Sequence, residues 1–319
     1  MVPSGLAIAA PVVVLAASLI IDRTIGDPHS SYHPVALLGR CIGCWGVPAR
    51  FSPHLQRAAG VLFWLLTVAV FAVPVFLFSH FAPWYLYLLI APFLLKCCFA
   101  WRSLEEHAGA VVEALNNGTD AGRETVKMLV SRDTAALDRE HILSAAYESM
   151  TENLTDSIIS PLLFYAVFGI GGAAFFRAAN TMDAMLGYRD ERERLGWFSA
   201  RMDDVLNFIP ARLTVLYLLL YFAGRGRFSP AITVMRRDGK NRPGFNGGIV
   251  MGAMAGGVGI RFEKPGVYTI GDPDRSFEDG GGAILRAVRT VAMMGAVTAA
   301  IVAVGTLFLL GSLINSTGI

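Results

Sequence analysis

Apolar, uncharged runs alternate with charged segments along this chain. Three of the runs, 2–21, 58–79 and 290–314, are long enough for a helix to cross the hydrocarbon core of a bilayer. Run 82–95 is shorter, but it reaches 82–101 if Lys96 snorkels its charge to the interface. Run 158–176 contains Gly169, Gly171 and Gly172, and run 205–223 encloses Arg212, so both read as less regular spans. Segment 243–260 is uncharged too, yet seven of its residues are glycine, which suits close packing against a neighbour better than lipid exposure.

Between the runs, helical periodicity covers 101–117 and 120–130, with a break at Asn117-Gly118. Ser131 or Asp133 can cap a following turn, and Asp138 can cap a helix that carries Glu148 and Glu152. Segment 261–287 is rich in Gly, Pro and Asp and reads as irregular. No internal repeat stands out.

Composition sharpens this picture. Hydrophobic residues make up 54% of the 319 positions and charged residues 16%, where a soluble domain carries about 25% charged. The mean hydropathy is +0.51. The expectation is an all-α integral membrane protein, one polytopic domain over 1–319 with about four to six membrane-embedded helices. A net charge of +2 says nothing about nucleic acid, and with no basic tract to suggest such a partner none is expected. Of the four cysteines, Cys97 and Cys98 adjoin an apolar run, and Cys41 and Cys44 form a single C-x-x-C without the second pair a zinc site needs. The first run lacks a basic flank before it, so it reads as a retained helix and not as a signal peptide.

Orientation follows from Lys and Arg in the loops. Segment 22–57 holds four, 102–157 five and 224–289 eleven, while the tail after Ile314 holds none. These loops are expected in the cytoplasm with both termini outside. Segment 177–204 is also arginine-bearing, which conflicts with that scheme if 158–176 and 205–223 both span. Re-entrant segments at those two runs remove the conflict, and such backbone is tolerated where it is buried in protein or lines a cavity.

The candidate chemistry centres on 131–212. Glu148, Glu152 and Asp156 are spaced i, i+4, i+8 and line one helical face. A solvated acidic face is the plain alternative, but this helix runs into an apolar segment, where uncompensated charge is costly. A counter-charge is therefore expected. Ser131-Arg132-Asp133-Thr134 suits phosphate recognition, or equally a helix cap. Asn180 with Asp183, and Asp203, Asp204 and Asn207 near Arg201, can present oxygen ligands for Mg²⁺ held through nucleotide phosphates, or hydrogen-bond between helices. After the first span come Asp22, Arg23, Asp27 and His33, read as a rigid polar loop at the membrane surface. No P-loop, dinucleotide fingerprint, H-E-x-x-H or G-x-S-x-G is present.

Taken together, DRTIGDPHSSYHPVALLG, SRDTAALD, ESMTENLTDSIISPLLFY, NTMDAMLGYRDER and GWFSARMDDVLNFIPAR resemble the cobalamin-biosynthesis membrane proteins CbiB and CobD, the adenosylcobinamide-phosphate synthases. The likeness runs from about Asp22 to Tyr268. It implies an ATP-dependent carbon–nitrogen ligase in the cell membrane, with its active site on the cytoplasmic side. The free propionate of adenosylcobyric acid would be joined to an amino alcohol such as aminopropanol phosphate through an acyl phosphate. ATP and Mg²⁺ are then expected, with the corrinoid as substrate and the bilayer as partner; a homo-oligomer is compatible with it.

On the matching motifs, the candidate catalytic residues are Glu148, Glu152, Asp156 and His33. Candidate substrate and phosphate contacts are Asp22, Arg23, Asp27, Ser131, Arg132, Asp133, Thr134, Asn153, Asn180, Asp183, Tyr188, Arg201, Arg212 and Asn246. Magnesium ligands are drawn from Glu148, Glu152, Asp156, Asp183, Asp203 and Asp204. One stretch departs from the family pattern. Asp238, Asn246, Gly248, Ala255 and Gly256 match it, while Arg242 replaces a His, Gly244 and Phe245 a Ser-Pro, and Met251 a Glu. A non-catalytic corrinoid-binding or regulatory membrane protein is the alternative. A transporter is a third reading, opposed by the lack of paired inverted halves.

Overall fold

The computed structural model describes the backbone of residues 4–27 and 32–317, with side chains over 9–27 and 32–309. Both chain ends, whose expected side of the membrane is outside, lie beyond the described residues. The elements in chain order are α1 (Ser4–Thr24), α2 (Pro34–Trp45), α3 (Gln56–Phe81), α4 (Trp84–Lys96), α5 (Trp101–Asn116) and α6 (Thr119–Val126). They continue through α7 (Arg139–Leu154), a π turn (Thr155–Ile159), α8 (Ser160–Leu186), α9 (Trp197–Leu206), α10 (Phe208–Ala223), α11 (Phe228–Asp238) and α12 (Gly247–Val258). Strands β1 (Phe262–Lys264) and β2 (Tyr268–Ile270) precede the last helix, α13 (Phe277–Thr317).

Four helical stretches are long and apolar enough to cross a membrane: Gln56–Phe81, Trp84–Asn116, Arg139–Leu186 and Phe277–Leu309. A fifth arises if α9 and α10, bent by 45° at Asn207, count as one broken span. The chain is thus an all-α membrane protein. Arg139–Leu186 is 48 residues long, more than twice the roughly 20 that a bilayer needs. Its polar first part, which carries the acidic stripe, can therefore lie outside the apolar span.

Two breaks shape that path. The π turn precedes Pro161, which has no N–H to donate to the carbonyl four residues back. Further on, Gly169 takes φ 69 and ψ −165, a backbone conformation open to glycine, and bends the expected 158–176 run.

The fold divides into two compact units. The first comprises Met1–Ala100, Ser160–Leu206 and Ala296–Ile319. Its core gathers Leu38, Ile42 and Trp45 of α2, Trp64, Val68 and Ala72 of α3, and Ala178, Ala179, Met182 and Leu186 of α8. Trp45 stacks on Phe63 at 5.4 Å, and Trp64 meets Phe175 and Phe198 edge-on. Between membrane-embedded helices such aromatic packing contributes through van der Waals contact and ring geometry.

The second unit comprises Trp101–Ile159 and Asn207–Gly295. In α5 the buried residues Trp101, Leu104, Ala108, Val111 and Leu115 form the expected stripe. The break at Asn117-Gly118 holds, with Gly118 at φ 117. The following helix is shorter than expected: α6 ends at Val126, and Met128 and Leu129 donate to carbonyls three residues back as a tightening turn. The glycine-rich 243–260 segment becomes α12, whose Gly252 and Gly256 lie against the backbone of α11 and whose Gly257 faces the Phe222 ring of α10.

Segment 261–287, expected to be irregular, instead holds an antiparallel hairpin pairing Phe262 with Ile270 and Lys264 with Tyr268. Pro265-Gly266 turns the hairpin, with Gly266 at φ 72 and the Val267 N–H donating to Lys264 O at 2.9 Å.

Candidate active site

In the second unit, α7 begins at Asp138, whose carboxylate accepts the His141 N–H at 2.9 Å as the expected cap. Asp133 makes the other expected turn, accepting from Ala135 N at 2.9 Å. The helix turns Ser144 and Glu148 toward β1. There Ser144 Oγ accepts the Glu263 N–H at 2.9 Å. Arg132 then closes the arrangement, its Nη2 donating to Glu148 Oε1 and its Nη1 to the Glu263 carbonyl at 3.3 Å. Tyr268, on β2, donates its hydroxyl to the same Glu148 oxygen at 2.6 Å. The other oxygen, Oε2, is buried without a hydrogen-bond partner among the described residues.

One turn along α7 the pattern recurs. Glu152 accepts from Arg242 Nη2. Burial works against the Arg242 charge, and the fields of Glu152, Tyr268, Asp156 and Glu148 outweigh it, so the guanidinium is held above its ordinary pKa. Arg242 thus pairs with Glu152 and feels the charge of the other two acidic residues of the stripe. The Tyr268 phenol is pushed up, by burial first and then by Glu148.

The loop that carries Arg242 is anchored at both ends. Asp238 accepts the Gly271 N–H at 2.8 Å and pairs with Arg237 at 2.7 Å, and that hydrogen bond holds its carboxyl below the usual range. At the far end Arg212 donates to Asn246 Oδ1 at 2.6 Å and to Phe245 O at 3.2 Å. A Cβ at Gly247 would sit 2.6 Å from Arg242 Nη1, so a side chain there would push the guanidinium aside. Arg132 also lines a cleft of about 360 Å³ whose walls carry both signs of charge, Arg123 and Lys127 alongside Asp120, Glu124 and Asp133.

The first unit holds a second polar cluster. Asp22 and Arg23 occupy the last turn of α1, where the sequence suggested a loop. Lys96, expected to snorkel, is buried instead: its Nζ lies 3.2 Å from Asp22 and also pairs with Asp27. Two carboxylates offset the desolvation that snorkelling would otherwise avoid. His33 caps α2 by accepting the Val35 N–H at 3.3 Å through Nδ1, and its Nε2 lies 3.7 Å from Asp27.

A family model for the CobD/Cbib protein matches residues 15–291. The chain belongs to the CobD/CbiB family. That match takes in both polar clusters and the whole acidic stripe. A probable cobalamin biosynthesis protein CobD from Thermococcus kodakarensis is 42% identical over 276 residues, covering 85% of this chain and 88% of the relative. A protein of the same description from Methanothermobacter thermautotrophicus is 39% identical over 266 residues, 82% of this chain and 86% of the relative. The cobalamin biosynthesis protein CobD of Dehalococcoides mccartyi is 36% identical over 267 residues, 81% of this chain and 86% of the relative. No solved structure matches.

For this CobD/CbiB chain the structure sorts the candidate residues. Arg132 pairs with Glu148 and Arg242 with Glu152, Asp156 adds its field at Arg242, and Arg212 and Asn246 pair with each other. Asn153 stays on its own helix, donating to Ser149 O at 2.9 Å and accepting from Ser157 at 3.1 Å. Ser131 and Asp133 are exposed, and Thr134 is buried. In the first unit Asn180 donates to Asp203 at 3.1 Å, which is the interhelical hydrogen bond weighed against metal binding. Asp183 lies half-buried on α8, Asp204 pairs with the exposed Arg201 at 3.8 Å, and Tyr188 stacks under Arg192.

Among the described residues, no group of three or more His, Cys, Asp or Glu side chains is arranged to hold a metal. The counter-charge expected for the stripe is present, and two arginines supply it. All four cysteines, Cys41 and Cys44 included, are free. Sequence reasoning missed Tyr268, Arg177 beside His33, and the buried role of Lys96. For Tyr268 the Pro265-Gly266 turn was the available signal.

Proposed function

We propose that this protein of the cobalamin-biosynthesis family is the ATP-dependent ligase that amidates adenosylcobyric acid with an amino alcohol phosphate. The observation that carries the reading is the double pair Arg132–Glu148 and Arg242–Glu152 on one helix, with Asp156 beside it. Guanidinium groups next to carboxylates are the inventory that phosphoryl transfer to a carboxylate needs. In the first step a propionate oxygen bonds to the γ-phosphorus of ATP and ADP leaves. In the second the amine nitrogen attacks the acyl carbon, phosphate departs, and the amine proton passes to a carboxylate.

Arg132 and Arg242 would hold phosphate oxygens, a bidentate task for which lysine is a poor substitute. Glu148, with its bare buried oxygen, and Glu152 fit the one or two protein carboxylates that Mg²⁺ takes beside substrate phosphates. Bound there, the ion would neutralise developing phosphate charge. Asp156 is then the carboxylate left to accept the amine proton. A cytoplasmic site in the cell membrane follows the arginine content of the loops, and labelling of single cysteines at 131–138 from either side tests it.

The deciding experiment incubates the purified protein with adenosylcobyric acid, ATP, Mg²⁺ and candidate amino alcohol phosphates. Amide product with ADP release is expected. Saturable corrinoid binding without turnover would instead favour a binding or regulatory role, a reading that the already neutralised Glu148 and Glu152 also support.

A further inference from the structure

Arg132 has two neighbours with opposite demands. Inward it meets Glu148, in a pair whose side chains are only 10% and 5% exposed. Outward it lines an open cleft with Asp120, Arg123, Glu124, Lys127, Asp133 and Thr134, where Asp120 pairs with Arg123 and Glu124 lies 3.9 Å from Lys127, so the anion would have to engage Arg132 itself. Glu148 is under-satisfied: Arg132 and Tyr268 share one oxygen, and the other is buried without a hydrogen bond. A carboxylate has acceptor capacity on both oxygens, and leaving one bare in a buried place is costly.

We infer that Arg132 is an exchangeable counter-ion, neutralising Glu148 in the ligand-free protein and released by an oligophosphate entering the cleft, so that anion and divalent-cation binding are coupled. The inference rests on the phosphate reading of this site. A cation arriving alone meets a guanidinium lying on its ligand. An oligophosphate arriving alone must strip Arg132 from Glu148 and leave a buried, uncompensated carboxylate, which is strongly unfavourable. Together they remove each other's obstacle, because phosphate takes the guanidinium and the cation takes the carboxylate. Such coupling is reciprocal and amounts typically to a factor of about 5–150. The site would then load metal with its nucleotide and not before it.

The test uses the full chain in detergent with two separate probes: inorganic tripolyphosphate without metal, followed by calorimetry, and Mn²⁺ without phosphate, followed by electron paramagnetic resonance. Glu148→Gln keeps an acceptor for Tyr268 and removes the competing charge. It is expected to tighten metal-free tripolyphosphate binding about fivefold or more. Arg132→Gln is expected to tighten phosphate-free Mn²⁺ binding by a similar factor while weakening tripolyphosphate. If E148Q binds tripolyphosphate no better than the unmodified chain, or R132Q binds Mn²⁺ no better, the exchange is wrong while the phosphate reading stands. If neither the unmodified chain nor E148Q binds tripolyphosphate, both fall. Should R132Q fail to fold, the E148Q measurement decides alone.

Discussion

Lys96 Nζ lies 3.2 Å from Asp22 Oδ1, with the two side chains 3% and 0% exposed. Breaking a buried pair by removing one partner costs about 3–5 kcal/mol, because the other charge is stranded. Lys96→Met is therefore expected to lower stability by that order in detergent unfolding experiments. Combining it with Asp22→Asn should recover much of the loss, since the stranded charge is gone. A single variant that unfolds like the parent would show that the pair is not a stability determinant.

His33 gives a pH signature. Burial holds its imidazole below the ordinary 6.5, with Asp27 opposing and Lys96 and Arg177 adding to the depression. The unfolded chain thus takes up the proton first as the pH falls. Stability from this group is complete above 6.5 and declines from there down to the lowered native value, below which it levels off. His33→Asn keeps an acceptor for Val35 N–H and should flatten the decline in stability as the pH falls below about 6.5. An unchanged slope would assign the pH dependence to other groups.

Arg132 and Arg201 separate in their expected behaviour. Arg132→Lys exchanges a two-pronged donor for a point charge and should reduce kcat/KM by the equivalent of about 1–3 kcal/mol. Arg201 is 59% exposed and only 3.8 Å from Asp204, a surface pair worth about 0–1 kcal/mol. Arg201→Lys should leave the unfolding midpoint alone. A loss of turnover in that variant then reports phosphate recognition, and unchanged kinetics would make Arg201 a surface residue.

Tyr268→Phe removes the donor 2.6 Å from Glu148 Oε1 without changing shape. A hydrogen bond to a charged acceptor is worth about 1.5 kcal/mol or somewhat more, so a stability loss near that figure is expected. As a positioning residue it should lower kcat with little change in the KM for the corrinoid, and shift the Mg²⁺ dependence of turnover. A rise in KM alone would place Tyr268 at the substrate instead.

What the sequence by itself determined is local. The cap at Asp138, the break at Asn117-Gly118, the buried stripe of α5 and the acidic face of α7 each depend on residues within a turn or two of one another. Helical periodicity therefore displays them directly. The apolar runs likewise announce a membrane protein, because transfer into lipid sums over consecutive residues. What the tertiary structure decided is who neutralises whom. Glu148 meets Tyr268 from 120 positions away, and Glu152 meets Arg242 from 90. Lys96 meets Asp27 across 69. No period encodes such separations. An isolated stripe of carboxylates calls for positive charge, but a metal ion, a substrate or the protein's own arginine can each provide it. Arg132 reaches Glu148 from the turn before α7, but only the packing of the 239–246 loop and the β1–β2 hairpin brings Arg242 and Tyr268 to the carboxylates. The same holds for Lys96: at a helix end it can reach for water or turn inward, and the buried Asp22 with the half-buried Asp27 decides the matter by offsetting its desolvation.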